Sequence, residues 1–218
     1  LIASRASTGW FISLEGIDGC GKSTQARRLA ETLRADGAEV VLTREPGGSP
    51  GAEEIRRLVV EGDPDRWSAE TEILLFIAAR RDHWERTIAP ALAAGATVIT
   101  DRFTDSTRVY QGTTRGDLTD LVDRLHALMI PRRPDLTLVI DVDPAAALAR
   151  ARARPGAETR FERFGTGFQT RLRAGFAALA AAEPDRVRLV DGSGSEAEVA
   201  ERVRAVVGAA ASRPAAAS

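Results

Sequence analysis

The chain has 218 residues, a formal net charge of −1, 44% hydrophobic and 28% charged residues, and one cysteine. This is the balance of an ordinary soluble globular protein, long enough for one full-sized core. It excludes a disulfide framework and a globally basic nucleic-acid binder, and a lone Cys20 fits a reducing cytosol. No apolar run reaches the roughly eighteen residues that a membrane span needs.

In chain order, "WFISLEG" (10–16) is an apolar, β-branched and aromatic run that predicts a buried strand. The segment after it has helical spacing through Ala26, Leu29, Ala30 and Leu33 and stops at Gly37. A second strand is expected over 38–44, then a turn-rich "EPGGSPG" and amphipathic stretches over 51–61 and 68–94. The third strand is expected over 96–103, with its charges at the C-terminal end, followed by helical patterns over 103–112 and 117–130. A fourth strand (135–142), a helix, an Arg-dense segment (150–163), another helix, a fifth strand (186–192) and a last helix (196–208) complete the pattern. Residues 1–9 lack an initiator Met and a secretory signal's apolar run, and are expected to be disordered or an expression artefact. The Ala/Ser/Pro tail 209–218 is expected to fray.

Strands written as continuous apolar runs and alternating with helices predict a parallel sheet covered on both faces. The fold class is therefore α/β, a doubly wound five-stranded parallel sheet flanked by helices, in one domain over 10–208. Ligands of such sheets sit at the C-terminal strand edge. The charged motifs fall there.

Gly16-x-x-x-x-Gly21-Lys22-Ser23 matches the phosphate-cradling loop, in the strand–loop–helix context that gives the motif meaning. Backbone N–H groups from Gly16, Ile17, Asp18, Gly19, Cys20, Gly21, Lys22, Ser23 and Thr24 are the candidate cradle for the ATP phosphates. Lys22 is the only lysine in a chain that otherwise uses arginine for every basic side chain. A guanidinium is planar and wide, whereas an ammonium reaches the β and γ oxygens as a compact point charge. That difference explains why this one position is lysine. Ser23 is a candidate Mg²⁺ ligand, and Asp101 after the third strand is placed like the second, acting on the ion or its waters. Cys20 reads as a small loop side chain rather than a redox thiol. The guanine-reading Asn-Lys-x-Asp of GTPases cannot occur when the only lysine is already used.

Five segments occur in order: "EGIDGCGKSTQ" (15–25), "TREPGG" (43–48), "LLFIAARRDH" (74–83), "DRFTDSTRVYQG" (101–112) and "PDLTLVIDVDP" (134–144). Together they closely resemble the thymidylate kinase family, over about Trp10 to Val207. The resemblance implies a P-loop NTPase-like fold with a small Arg-rich lid (about 150–165), and Mg·ATP-dependent phosphorylation of dTMP to dTDP. On residue type alone Phe76 reads as core. The resemblance makes it the ring that stacks on thymine, with Arg80 one turn later bonding the base edge. It likewise implies that Arg44 and Arg102 meet the acceptor phosphate, that Thr107 and Gln111 contact the base, and that Asp18 meets the 3′-OH. It assigns Tyr110, the only tyrosine, to crowding the position of a ribose 2′-OH. Glu45 is expected to orient its neighbours, and Arg108 has no account at this level.

Some members carry a catalytic Arg inside the P-loop, where this chain has Gly19. The other group supplies arginines from the lid, and Arg150, Arg152, Arg154 and Arg160 are the candidates, with Arg154 and Arg160 favoured as catalytic. The family also implies a cytoplasmic homodimer with small-molecule nucleotides as partners, and neither nucleic acid nor membrane. Two alternatives stay open: a nucleoside monophosphate kinase of broader base choice, and an ATP-binding module without turnover.

Overall fold

The computed structural model of the chain describes residues 9–63, 66–113, 116–152 and 165–212. Its sheet has five strands, all parallel: β1 (Phe11–Glu15), β2 (Val40–Arg44), β3 (Thr97–Asp101), β4 (Leu136–Asp141) and β5 (Val187–Asp191), in the order β2-β3-β1-β4-β5. The helices are α1 (Lys22–Ala35), α2 (Pro50–Val60), α3 (Ala69–His83), α4 (Ala89–Ala93), α5 (Thr104–Thr107), α6 (Thr119–Met129), α7 (Pro144–Arg152), α8 (Gly165–Ala182) and α9 (Glu196–Ala211). Two π-helical turns, Trp84–Ile88 and Arg108–Thr113, continue α3 and α5. Every expected strand forms, and α9 runs past the expected end at 208 to Ala211. Alanine is the best helix former, so the Ala-rich start of the tail extends the helix rather than ending it.

β1 is central and buried along its whole length, because neighbours cover both of its edges and helices both of its faces. Its two faces differ. Ile12 and Leu14 join the larger core with Leu29 and Leu33 of α1, Phe176 of α8 and Val203 of α9. Phe11 faces the other way, into a smaller core of Trp84, Ile88, Val98, Phe103 and Ile130. Further along that second face come Ser13, bonded to Thr137 Oγ1 at 2.9 Å, and then Glu15. The face thus turns from apolar to polar to charged as it nears the C-terminal edge.

Parallel register aligns the strand ends. Leu14 and Arg44 both pair with Asp101, and Glu15 pairs with Val139. The loops leaving β1, β2 and β3 therefore open side by side on one edge.

Candidate active site

The loop between β1 and α1 carries positive φ at Gly16 (133°), Gly19 (79°) and Gly21 (98°). Only glycine reaches that region without strain. At Gly19 space is denied as well: a Cβ would lie 2.0 Å from the Ala147 carbonyl oxygen of α7. The backbone of α7 occupies the position an arginine at 19 would need. Lys22 begins α1, is 7% exposed, and donates to the Ile17 carbonyl at 3.2 Å. Its ammonium lies 3.8 Å from Asp18 Oδ1.

Asp18 is the hub of a first group of side chains. Arg102 Nη2 donates to Asp18 Oδ1 at 2.5 Å, and the Tyr110 hydroxyl donates to Asp18 Oδ2 at 3.1 Å. Burial alone would raise the Asp18 carboxyl; the Arg102 guanidinium and the Lys22 ammonium outweigh it and hold the carboxyl below its ordinary range. Arg102 Nη2 also donates to Tyr110 Oη at 3.0 Å, and the guanidinium lies over the Tyr110 ring at 4.8 Å. Burial pushes the Tyr110 hydroxyl well above its ordinary value, so it stays a protonated donor.

Arg102 is the one non-glycine residue with positive φ among the described residues, at 72°. That conformation costs an L-residue roughly 1–2 kcal/mol, and the surroundings enforce it. Its N–H donates to the Leu14 carbonyl at 2.9 Å, and its carbonyl accepts from Thr100 Oγ1 at 2.8 Å. Nη1 donates to the Gly16 carbonyl at 3.2 Å and to Ser106 Oγ at 2.8 Å. Behind it, Glu15 is fully buried and accepts from Phe103 N–H at 2.7 Å and Ser106 Oγ at 2.5 Å. Burial, then the nearby Asp105, pushes the Glu15 carboxyl up to about 7, against the lowering pull of Arg102.

Ser23 Oγ donates a short hydrogen bond to Asp101 Oδ2, joining the two candidate Mg²⁺ residues. Asp101 Oδ1 is buried and has no hydrogen-bond partner. A hard cation accepts such an oxygen and a serine hydroxyl, so this pair fits the ion.

A second group lies between α3, the loop after β2 and α5. Arg80 is 2% exposed; its Nε donates to Glu45 Oε2 at 2.7 Å and its Nη2 to Thr107 Oγ1 at 3.0 Å. Its Nη1 is buried without a partner. Glu45 Oε1 pairs with His83 Nδ1 at 3.0 Å, and His83 Nε2 with Thr43 Oγ1 at 2.7 Å. Gln111 is buried and its amide lies 3.4 Å from Glu72. Phe76 is half-buried one turn before Arg80.

Lys22, Asp18, Arg102, Tyr110, Ser23 and Asp101 thus converge, Arg80 and Thr107 meet in a second group, and Gln111 meets Glu72 of α3. Arg44 shares the sheet edge, but its exposed guanidinium bonds Glu53 at 3.2 Å. Arg150 is exposed on α7, while Arg154 and Arg160 lie outside the described residues. Cys20 is buried, and burial raises its thiol despite nearby Lys22, which removes the basis for a reactive thiolate. Arg108 gains an account: it bridges Asp105 at 3.4 Å, Asp123 at 2.9 Å and Glu183 at 2.6 Å, tying α5 and its π-turn to α6 and the end of α8. Sequence reasoning missed Glu15, Ser106, His83 and Glu72. For Glu15 one signal existed, a carboxylate inside an otherwise uncharged, buried strand.

A family model described as "Thymidylate kinase" matches residues 14–203. A thymidylate kinase from Ruegeria pomeroyi is 67% identical over 202 residues, covering 93% of this chain and 96% of the relative. One from Dinoroseobacter shibae is 70% identical over 195 residues, covering 89% and 94%. The crystal structure of thymidylate kinase from Ehrlichia chaffeensis superposes with a TM-score of 0.75 at 36% identity, covering 92% of this chain and 99% of that one.

Proposed function

The chain belongs to the thymidylate kinase family, and from that premise we propose how its residues divide the work of phosphorylating dTMP to dTDP in nucleotide biosynthesis. The γ-phosphoryl of ATP passes in line to the 5′-phosphate of dTMP. The acceptor is already an anion at neutral pH, so no side chain has to remove a proton. The obstacle is repulsion between two polyanions, and correctly placed cations lower it.

Lys22 neutralises the β and γ oxygens from the P-loop side. Arg102 clamps the acceptor phosphate, and Arg44 approaches it from the end of β2. Asp18, held by Arg102 and Tyr110, meets the 3′-OH, while the Tyr110 ring crowds out a ribose 2′-OH. Phe76 stacks on thymine, and Thr107 and Gln111 line its edge. The unpartnered Nη1 of Arg80 supports a hydrogen bond to a thymine carbonyl, since a buried donor left unmade is costly. Ser23 and Asp101 would hold Mg²⁺, which supplies charge neutralisation between the phosphates when bound. Among the described residues no cluster of three or more His, Cys, Asp or Glu is placed to hold a metal. One carboxylate plus substrate oxygens is how Mg²⁺ is commonly held. Arg154 and Arg160 are assigned to the lid over the ATP phosphates.

The observation that carries this reading is Arg102, a second cation facing the P-loop across Gly16 and Asp18. A protein that only bound ATP would need no acceptor clamp there. The family's homodimer is proposed here too: Leu58 of α2, Leu74 of α3, and Leu128 and Met129 of α6 are exposed apolar side chains on helices in which α3 packs against the other two. The proposed location is the cytoplasm, and among the described residues no helix is long and apolar enough to cross a membrane.

The test is ADP release from Mg·ATP with dTMP, dUMP, dCMP, dGMP, AMP, UMP and ribosyl-TMP offered separately. Strong preference for dTMP, weaker use of dUMP and almost no ribonucleotide is expected. Broad acceptance would overturn the pocket assignment, and ATP binding without transfer to any acceptor would overturn the kinase reading.

A further inference from the structure

Three consecutive residues of the β1 end hold Arg102. Leu14 takes its backbone N–H, Gly16 takes Nη1, and between them the Glu15 side chain reaches both neighbours of the arginine's anchor points. Oε1 fixes the Phe103 N–H that follows the left-handed residue, and Oε2 takes the proton of Ser106 Oγ. Because that proton is given to Glu15, the lone pairs of Ser106 face Arg102 Nη1 at 2.8 Å. Ionised, as it largely is at pH 8, the Glu15 carboxylate has no hydrogen of its own to offer, so the relay then runs in one direction only: guanidinium to hydroxyl to carboxylate.

We propose that Glu15 is a positioning residue for phosphoryl transfer: acting through Ser106 and Phe103, it aims the Arg102 guanidinium at the acceptor phosphate without touching substrate. This rests on the reading of Arg102 as the acceptor clamp. The bland alternative is that Glu15 only props up the phosphate loop, since Gly16 is its neighbour. The two accounts separate by which substrate feels the loss. A prop for the loop would be felt by ATP, whereas a guide for Arg102 is felt by the phosphate of dTMP.

Glu15→Gln keeps the volume, and its amide oxygen can still accept from Phe103 N–H. Its NH₂ would donate where the carboxylate accepted, leaving the Ser106 proton without its acceptor and the guanidinium without its anionic support. Ser106→Ala cuts the side-chain branch alone and serves as a second probe of the same relay. Calorimetric binding of dTMP and of thymidine, which lacks the phosphate, should be measured at pH 8 alongside kcat and KM for ATP. For both variants dTMP binding and kcat should fall about tenfold, inside the roughly 10²-fold that a misplacement of about an ångström can cost. Thymidine binding and KM for ATP should stay within about twofold. In an Arg102→Ala background, Glu15→Gln should lower kcat by less than about twofold more, because residues that act through one another are not additive.

Wild-type dTMP binding and turnover in both variants would overturn the proposal. So would a loss shared equally by thymidine, a loss confined to KM for ATP, or a full independent loss in the Arg102→Ala background. Should Glu15→Gln not fold, Ser106→Ala alone decides by the same criteria. If the unaltered protein fails to distinguish dTMP from thymidine, the clamp reading itself falls, and that is seen before any substitution is made.

Discussion

Arg102 and Arg80 are each paired with a carboxylate, Asp18 and Glu45, but the two pairs sit in different surroundings. The Arg102 and Asp18 side chains keep 16% and 25% of their surface exposed, while Arg80 and Glu45 keep 2% and 4%. Arg102 is bonded through both terminal nitrogens to groups at the mouth of the phosphate loop, whereas Arg80 leaves one terminal nitrogen unused. The surroundings of Arg102, proposed as the phosphate side, are thus a set of charges partly open to solvent. The surroundings of Arg80, proposed as the base side, are a closed socket, with His83 and Thr43 behind Glu45 and Arg80 Nη1 left without a partner. Charge that must redistribute stays near water, and charge that only has to recognise a shape is buried and locked.

Breaking the buried pair should have the largest effect. Glu45→Ala would leave the Arg80 guanidinium uncompensated, and removing one partner of such a pair typically costs about 3–5 kcal/mol. Urea unfolding should register that loss, and a stability within about 1 kcal/mol of wild type would mean the socket is not locked. On the phosphate side the same kind of change should appear in rate instead. Lys22→Ala and Arg102→Ala should each lower turnover by roughly 10²-fold or more, as lost stabilisation of the transferring group. Steady-state assays check this, and near-normal turnover in either would end the assignment.

The junction between the halves should report through pH. The Glu15 carboxyl is raised from 4.5 to about 7 in the folded chain, with Arg102, Asp105, Ser106 and the Phe103 N–H facing it. A carboxyl raised by folding favours the fold most at low pH, and that contribution is lost as pH rises through the folded value. Relative to Glu15→Gln, the wild-type protein should therefore lose about 2 kcal/mol of stability between roughly pH 5 and pH 8. Parallel melts of the two proteins across that range test it, and parallel curves would refute it. The smallest effect belongs to an exposed pair between α1 and α9. Arg28 and Glu196 meet at 3.3 Å with side chains 44% and 66% exposed, so Arg28→Ala should change stability by less than about 1 kcal/mol, as unfolding in urea would show.

The strands were readable because a parallel sheet buried on both faces is written as unbroken apolar runs, and the phosphate loop because its residues are contiguous. The π-helical turns were not, since one extra residue per turn leaves no mark in a short sequence window. Arg108 could not be explained from its own neighbourhood, because two of its partners, Asp123 and Glu183, come from distant parts of the chain. Glu15 was passed over for the same reason. What it does depends on β3 lying beside β1, which delivers Arg102, Phe103 and Ser106 to its carboxylate.

Lys22 also bears on how the protein can be handled at the bench. It is the chain's only side-chain amine, and it is buried in the loop that would grip ATP. Amine-directed dyes, cross-linkers and surface-coupling chemistries therefore find no ε-amine on the outside of the molecule, apart from whatever the chain's α-amine offers. A reagent slim enough to enter the loop would mark one side chain, and nucleotide should protect it, so the share of molecules left without that mass increment would count occupied sites directly.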